Sequence, residues 1–320
     1  MAYTEKTGYF TSSDNRSEVY YKICIPEDMP KGIIQISHGM CEHIGRYTPL
    51  VEYFTDNGFV VCGNDHIGHG KSVKDDADLG YFGEGNYTCL ADDLKKLNGI
   101  VRKTYRSLPY ILIGHSMGSF VVRDYITRYA DTIDSAVICG TSGTNKAAKS
   151  GIKLCKLIKL FKGERYRSVL VRNLTFKGYN SHFKDEKDDL SWLTSVKEIR
   201  DEYRADSKSG FAFTLDGYIN MLTLLNKVSE EGWETKVPQS LPIFIISGFE
   251  DPVGNYGKGV KEIFERLDYC EINILKCKLY EESRHELFNE TSRNEVMEDI
   301  YNFANEVIEG VLEARGYVRF

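Results

Sequence analysis

The sequence has no cysteine pair spaced C-x-x-C and no cysteine–histidine cluster with zinc-ligand spacing, which excludes the common structural-zinc and dithiol redox motifs. Its eight cysteines are Cys24, Cys41, Cys62, Cys89, Cys139, Cys155, Cys270 and Cys277, and four of them (Cys24, Cys62, Cys139 and Cys277) fall in apolar strand-like runs. They are expected as buried, reduced, small hydrophobes, which favours a reducing compartment. The opening residues, MAYTEKTGYF, lack the basic and apolar regions of a secretory signal. No apolar run approaches the ~20 residues of a membrane span. Internal repeats and low-complexity tracts are absent. Positive charge is not in excess either: the formal net charge is -6 over 320 residues, which gives no general basis for binding nucleic acid. The expectation is a cytoplasmic protein without a nucleic-acid partner.

What is present is an ordinary globular composition, 42% hydrophobic and 28% charged, on a chain long enough for one large domain or one domain with an insertion. Seven short runs are rich in Val and Ile and bounded by Gly, Pro or Asp: residues 19–25, 32–37, 59–64, 110–114, 135–140, 241–248 and 272–280. Buried strands look like this. Helical patterns lie between them, over 88–105, from about Ser116, over 257–268 and over 291–309. This alternation predicts an α/β fold, with a mostly parallel central sheet and helices on both faces. The first runs are closer together and predict an antiparallel edge. Residues 141–237 break the rhythm, with helical patterns and no clear apolar strand. They read as a helical cap inserted between two parts of a core, 1–140 and 238–320.

Gly114-His115-Ser116-Met117-Gly118 fits G-x-S-x-G, with a strand before it and a helix after it. A serine at the tip of a sharp strand–turn–helix needs small neighbours two residues away, or the turn cannot close. Its hydroxyl then projects at the carboxyl end of the sheet, where α/β folds place their sites. A serine nucleophile needs a base, and the base needs an orienting acid. The chain order for such a site is serine, acid, histidine. Of the seven histidines, His285 lies after the last predicted strand, in EESRHELFNE, and is the candidate base. Asp251, in PIFIISGFEDPVG, is the preferred acid, with Glu250 beside it as the alternative.

Five ordered segments now carry a resemblance: HGMCEHIGRY (38–47), NDHIGHGKS (64–72), GHSMG, SGFEDPVG and SRHELFNE. Together they resemble the monoglyceride lipase and lysophospholipase branch of the α/β-hydrolase superfamily, which includes serine aminopeptidase-like members. The resemblance spans about residues 38 to 290 and both parts of the core; SGFAFTLDGY is similar to a cap helix of bacterial members. It implies an α/β-hydrolase fold and a serine hydrolase acting on carboxylic esters, with no cofactor and no metal. Its substrates would be monoacylglycerols, lysophospholipids or related acyl esters. A short-chain carboxylesterase or peptidase of the same fold is the alternative, and a non-catalytic binding protein on this scaffold is a remote one.

An oxyanion formed at Ser116 calls for two backbone N–H donors. Met117, after the nucleophile, should supply one, and the resemblance points to Met40 for the other. His38, Glu42, His43 and Arg46 are read as bracing this loop, and Asp65, His66 and His69 as structural hydrogen-bonders. His115 is expected to point away from the nucleophile. Residues 146–172 hold nine Lys or Arg and a single acid, Glu164. Within them Leu154, Leu157, Ile158 and Phe161 share one helical face, opposite Lys156, Lys159 and Lys162. Such a helix either packs its apolar face on the core or lies on an anionic membrane surface.

Overall fold

The structure is a computed structural model; it describes residues 3–83 and 86–314. Eight strands form one sheet: β1 (Tyr3–Thr11), β2 (Glu18–Pro26), β3 (Gly32–Ser37), β4 (Phe59–Asn64), β5 (Tyr110–His115), β6 (Ser135–Cys139), β7 (Ile243–Gly248) and β8 (Leu275–Tyr280). Their spatial order is β1-β2-β4-β3-β5-β6-β7-β8. β1 pairs antiparallel with β2, and β2 antiparallel with β4; all later pairs are parallel. The sheet is therefore mostly parallel with an antiparallel edge, as the strand spacing predicts.

Every residue of β3 to β7 is buried. Side chains alternate between the faces of a strand, so these strands feed two cores. Ile33, Leu112, Ile138 and Ile245 belong to one; Ile34, Ile113, Val137 and Ile246 belong to the other. Helices α1 (Thr48–Asp56) and α9 (Arg293–Ala314) cover the second face, with Phe54, Ile300 and Phe303 inward. Helices α2 (Thr88–Arg102), α3 (Met117–Arg128) and α8 (Lys258–Tyr269) cover the first, with Leu94, Val121 and Ile263 inward. Between β6 and β7 lie α4 (Ala148–Lys162), α5 (Val169–Thr175), α6 (Lys197–Ala205) and α7 (Leu215–Lys227), and no strand among the described residues. α7 starts late in its predicted stretch because the Thr214 side chain caps it, accepting from Gly217 N–H at 3.1 Å.

Arg123, fully buried on α3, joins this helical segment to the sheet. Its guanidinium donates to the Ser142 carbonyl at 2.8 Å, where the chain leaves β6, and to the Val228 carbonyl, where it leaves α7. It also lies 4.4 Å from the Trp233 ring.

Two expectations need correction. β1 is an additional strand, which the apolar-run criterion does not find because its residues are mostly exposed and polar. Cys277 is exposed rather than buried, because β8 is an edge strand and only its last residue is fully covered, and Cys270, just past the end of α8, is only partly buried. Cys24, Cys62 and Cys139 are buried, and all eight cysteines are free. Among the described residues no helix is long and apolar enough to cross a membrane.

Candidate active site

Ser116 sits between the end of β5 and the start of α3 with φ 54° and ψ -121°. For a residue with a Cβ this left-handed region is costly, and it persists where the surroundings over-determine it. They do here. Ser116 N–H donates to the Cys139 carbonyl at 3.0 Å, and the Ser116 carbonyl accepts from the N–H and hydroxyl of Ser119 at 2.9 and 2.6 Å. The two flanking glycines are compulsory. A Cβ on Gly114 would lie 2.3 Å from the Gly118 carbonyl oxygen, and one on Gly118 would lie 2.0 Å from that of Ser37.

Asp251 follows β7 and His285 follows β8, and parallel pairing of those strands brings the two loops together. His285 Nδ1 lies 2.9 Å from Asp251 Oδ2, and both residues are buried. Asp251 Oδ1 accepts from Val253 N–H at 2.8 Å and Oδ2 from the Ser247 hydroxyl at 3.2 Å. A carboxylate held this way keeps Nδ1 protonated and leaves Nε2 as the basic nitrogen. Glu250, the alternative acid, instead faces Arg284 Nε at 3.7 Å and is partly exposed. Ser116 and His285 line the same cavity, although among the described residues neither Ser116 Oγ nor His285 Nε2 is hydrogen-bonded. Such contacts commonly tighten only when substrate is bound.

Met40 and Met117 border the same cavity. Their N–H groups have no protein acceptor among the described residues, so both are open to a ligand. Glu42 braces the Met40 loop. Its carboxylate accepts from Gly39 N–H at 2.5 Å, from the Tyr47 hydroxyl at 2.8 Å and from Arg46 at 2.9 Å. Arg46 also forks onto Glu286, beside His285, at 2.6 and 2.8 Å. His43 reaches Asp206 at 2.8 Å. Asp65 accepts from the N–H groups of Ile44 and Lys71.

His115 points beneath the site rather than at Ser116. Its Nε2 lies 3.1 Å from the His285 carbonyl and must donate to it, and its Nδ1 meets Tyr47 Oη at 3.1 Å and Glu42 at 3.4 Å. Burial would lower its pKa, but the hydrogen bond and charge of Glu42 outweigh that and raise it. Glu42 is held well below the usual carboxylate range: burial opposes this, and the His115 hydrogen bond and Arg46 charge win.

His38, His66 and His69 behave in the opposite way, because burial pushes all three down, His69 to about 3. Their partners agree with neutral rings: His38 Nε2 accepts from His66 N–H at 2.9 Å, and His69 Nε2 from Cys41 N–H at 3.4 Å. Among the described residues no group of three histidine, cysteine or acidic side chains is arranged to hold a metal ion.

The cavity measures about 810 Å³ and is roofed by the helical segment, with Leu154, Val171, Trp192, Phe211 and Met221 among its walls. Of these five, Phe211 alone falls in a stretch that the resemblance marks, SGFAFTLDGY, and the others come from scattered turns of the insert. On α4, Leu154 turns inward, but Leu157 is 55% exposed and Phe161 80% exposed, as is Leu160. The apolar face of α4 is therefore split between cavity and solvent and is not packed wholly on the core.

The sheet order, the sharp strand–turn–helix that carries Ser116 and the Asp251–His285 pair at the strand ends define an α/β-hydrolase. The chain belongs to the serine aminopeptidase S33 family, whose model matches residues 28–292. It is 25% identical to the monoacylglycerol lipase of Mycolicibacterium smegmatis over 285 residues, 88% of this chain and 91% of that one. It is 34% identical to human monoglyceride lipase over 96 residues, 30% of each chain. Among solved structures, a thermostable carboxyl esterase from Bacillus coagulans in complex with glycerol superposes with a TM-score of 0.89 at 32% identity, covering 96% of this chain and 99% of that one.

Proposed function

We propose that this carboxyl ester hydrolase cleaves monoacylglycerols or lysophospholipids by acyl transfer to Ser116. In this reading His285 Nε2 takes the Ser116 proton as Oγ attacks the ester carbonyl. The Met40 and Met117 N–H groups receive the oxyanion, and Asp251 steadies the imidazolium. The alcohol leaves with the proton returned by His285. Water, deprotonated by the same histidine, then releases the acid. The observation that carries the reading is convergence: the serine elbow, the Asp251–His285 pair and two open N–H groups meet at one largely apolar cavity of about 810 Å³. A space of that size suits a long acyl chain better than a short ester needs.

The same reading makes residues 141–237 a helical cap over a core of 1–140 and 238–320. The placement of α4, α5 and α7 along the cavity wall supports it. It also gives the basic stretch 146–172 a task. Leu157, Leu160, Phe161, Val169 and Leu170 are exposed beside its lysines, and Leu154 and Val171 of the same helices line the cavity, so a lipid drawn to the surface would meet the cavity wall next. The unpaired state of all eight cysteines supports residence in a reducing compartment such as the cytoplasm.

Replacing Ser116 with Ala should abolish hydrolysis of monoacylglycerol and labelling by a fluorophosphonate while leaving thermal unfolding unchanged. Turnover that survives in this variant would overturn the mechanism. A panel of glycerol and phosphocholine esters of increasing acyl length identifies the substrate. Co-sedimentation with anionic vesicles, weakening as salt rises, tests the surface contact.

A further inference from the structure

The loop that carries Met40 does not rest on the core alone. Cys41, the next residue, has φ 57°, a left-handed conformation that is sterically costly for a residue with a Cβ. Four contacts hold it there. Its N–H reaches His69 from the core side. The other three come from the helical segment: the Cys41 carbonyl accepts from Gly210 N–H at 2.9 Å and from the Tyr203 hydroxyl at 3.2 Å, and its thiol donates to the Phe211 carbonyl at 2.9 Å.

Tyr203 does more than supply one hydrogen bond. It is buried on α6, and its ring lies 4.7 Å from the Arg46 guanidinium. Arg46 in turn grips Glu42 and Glu286, the chain neighbours of Cys41 and His285. Gly210, at φ 67°, passes so close that a Cβ would come within 3.1 Å of the Tyr203 ring. The peptide of Met40 is thus bracketed. On one side the Gly39 N–H is fixed on Glu42, and on the other the Cys41 carbonyl is fixed by Tyr203 and Gly210.

We propose that Tyr203 is a positioning residue for the oxyanion hole, acting from the helical segment. By holding the Cys41 carbonyl in its left-handed turn it keeps the Met40 N–H aimed at the place where negative charge develops. An oxyanion donor is effective because it does not have to reorient during reaction, and the Tyr203 hydroxyl supplies part of that fixity. The proposal rests on the reading of Met40 as a donor given above.

Tyr203→Phe removes the hydroxyl and keeps the ring on Arg46. It should lower kcat on a soluble ester by about 5- to 20-fold, a fraction of the loss seen when an oxyanion donor is removed outright. KM should stay within about twofold. Affinity for an alkyl trifluoromethyl ketone, whose serine adduct carries an oxyanion, should fall by the same factor as kcat. Affinity for a 1-O-alkylglycerol ether, which has no carbonyl, should not change. Unchanged kcat, or parallel weakening of ketone and ether, would overturn the role of Tyr203. An inactive wild-type protein that is not labelled at Ser116 would instead remove the reading of the site itself.

Discussion

Asp251 and Glu250 are adjacent in the chain, yet they face different partners. Asp251 meets the imidazole of His285, and Glu250 meets Arg284. Asp251→Asn should therefore reduce kcat by ~10³–10⁴-fold through the wrong imidazole tautomer, whereas Glu250→Gln should leave kcat near the wild-type value; steady-state rates on one ester decide it. His115 gives a second residue-scale prediction. Its folded-state pKa is raised, so its stabilising contribution is fully present below its unfolded pKa of about 6.5 and is lost as pH rises through the folded value. Urea midpoints taken between pH ~6 and ~9 should fall more for the wild type than for His115→Gln. Equal slopes would show that the ion pair with Glu42 does not form.

Among the elements, α4 divides its apolar residues between two environments, Leu154 inward and Leu160 and Phe161 outward. A helix that faces water with large side chains and lysines together is suited to an interface. The double substitution Leu160→Ser, Phe161→Ser should slow hydrolysis of monoacylglycerol presented in anionic vesicles while barely altering turnover of a water-soluble ester. An equal loss on both would place these residues in the cavity's chemistry instead of at its entrance. Sequence periodicity locates α4 and its two faces, but it cannot tell a face buried on the core from one left in solvent. That distinction depends on α5 and α7, which no local pattern ties to α4. β1 escapes the same criterion because an edge strand exposed to water carries no apolar run.

For the whole molecule, legibility follows burial. β3 to β7 are buried on both sides and read directly as Val- and Ile-rich runs. Ser116 and Asp251 are legible because each follows such a strand, His285 because it follows the last predicted strand, and chain order then assigns the three to one end of the sheet. Tyr203 is not legible: it lies 162 residues from Cys41, within a segment whose path across the core has no sequence signature. Arg123 is another side chain of this kind, a buried cation whose nearest partners are carbonyls rather than acids. Arg123→Met should cost about 2–5 kcal/mol in chemical denaturation, since it strands carbonyls of both crossings without a donor. Because one guanidinium holds the chain both where it departs from β6 and where it returns past α7, the outgoing and incoming strands of the connection share a single doorway. Whatever is strung between those two points can lengthen, shorten or be exchanged for another segment without re-registering the sheet, so the walls of the cavity can be rebuilt, in evolution or in the laboratory, while Ser116, Asp251 and His285 stay where they are.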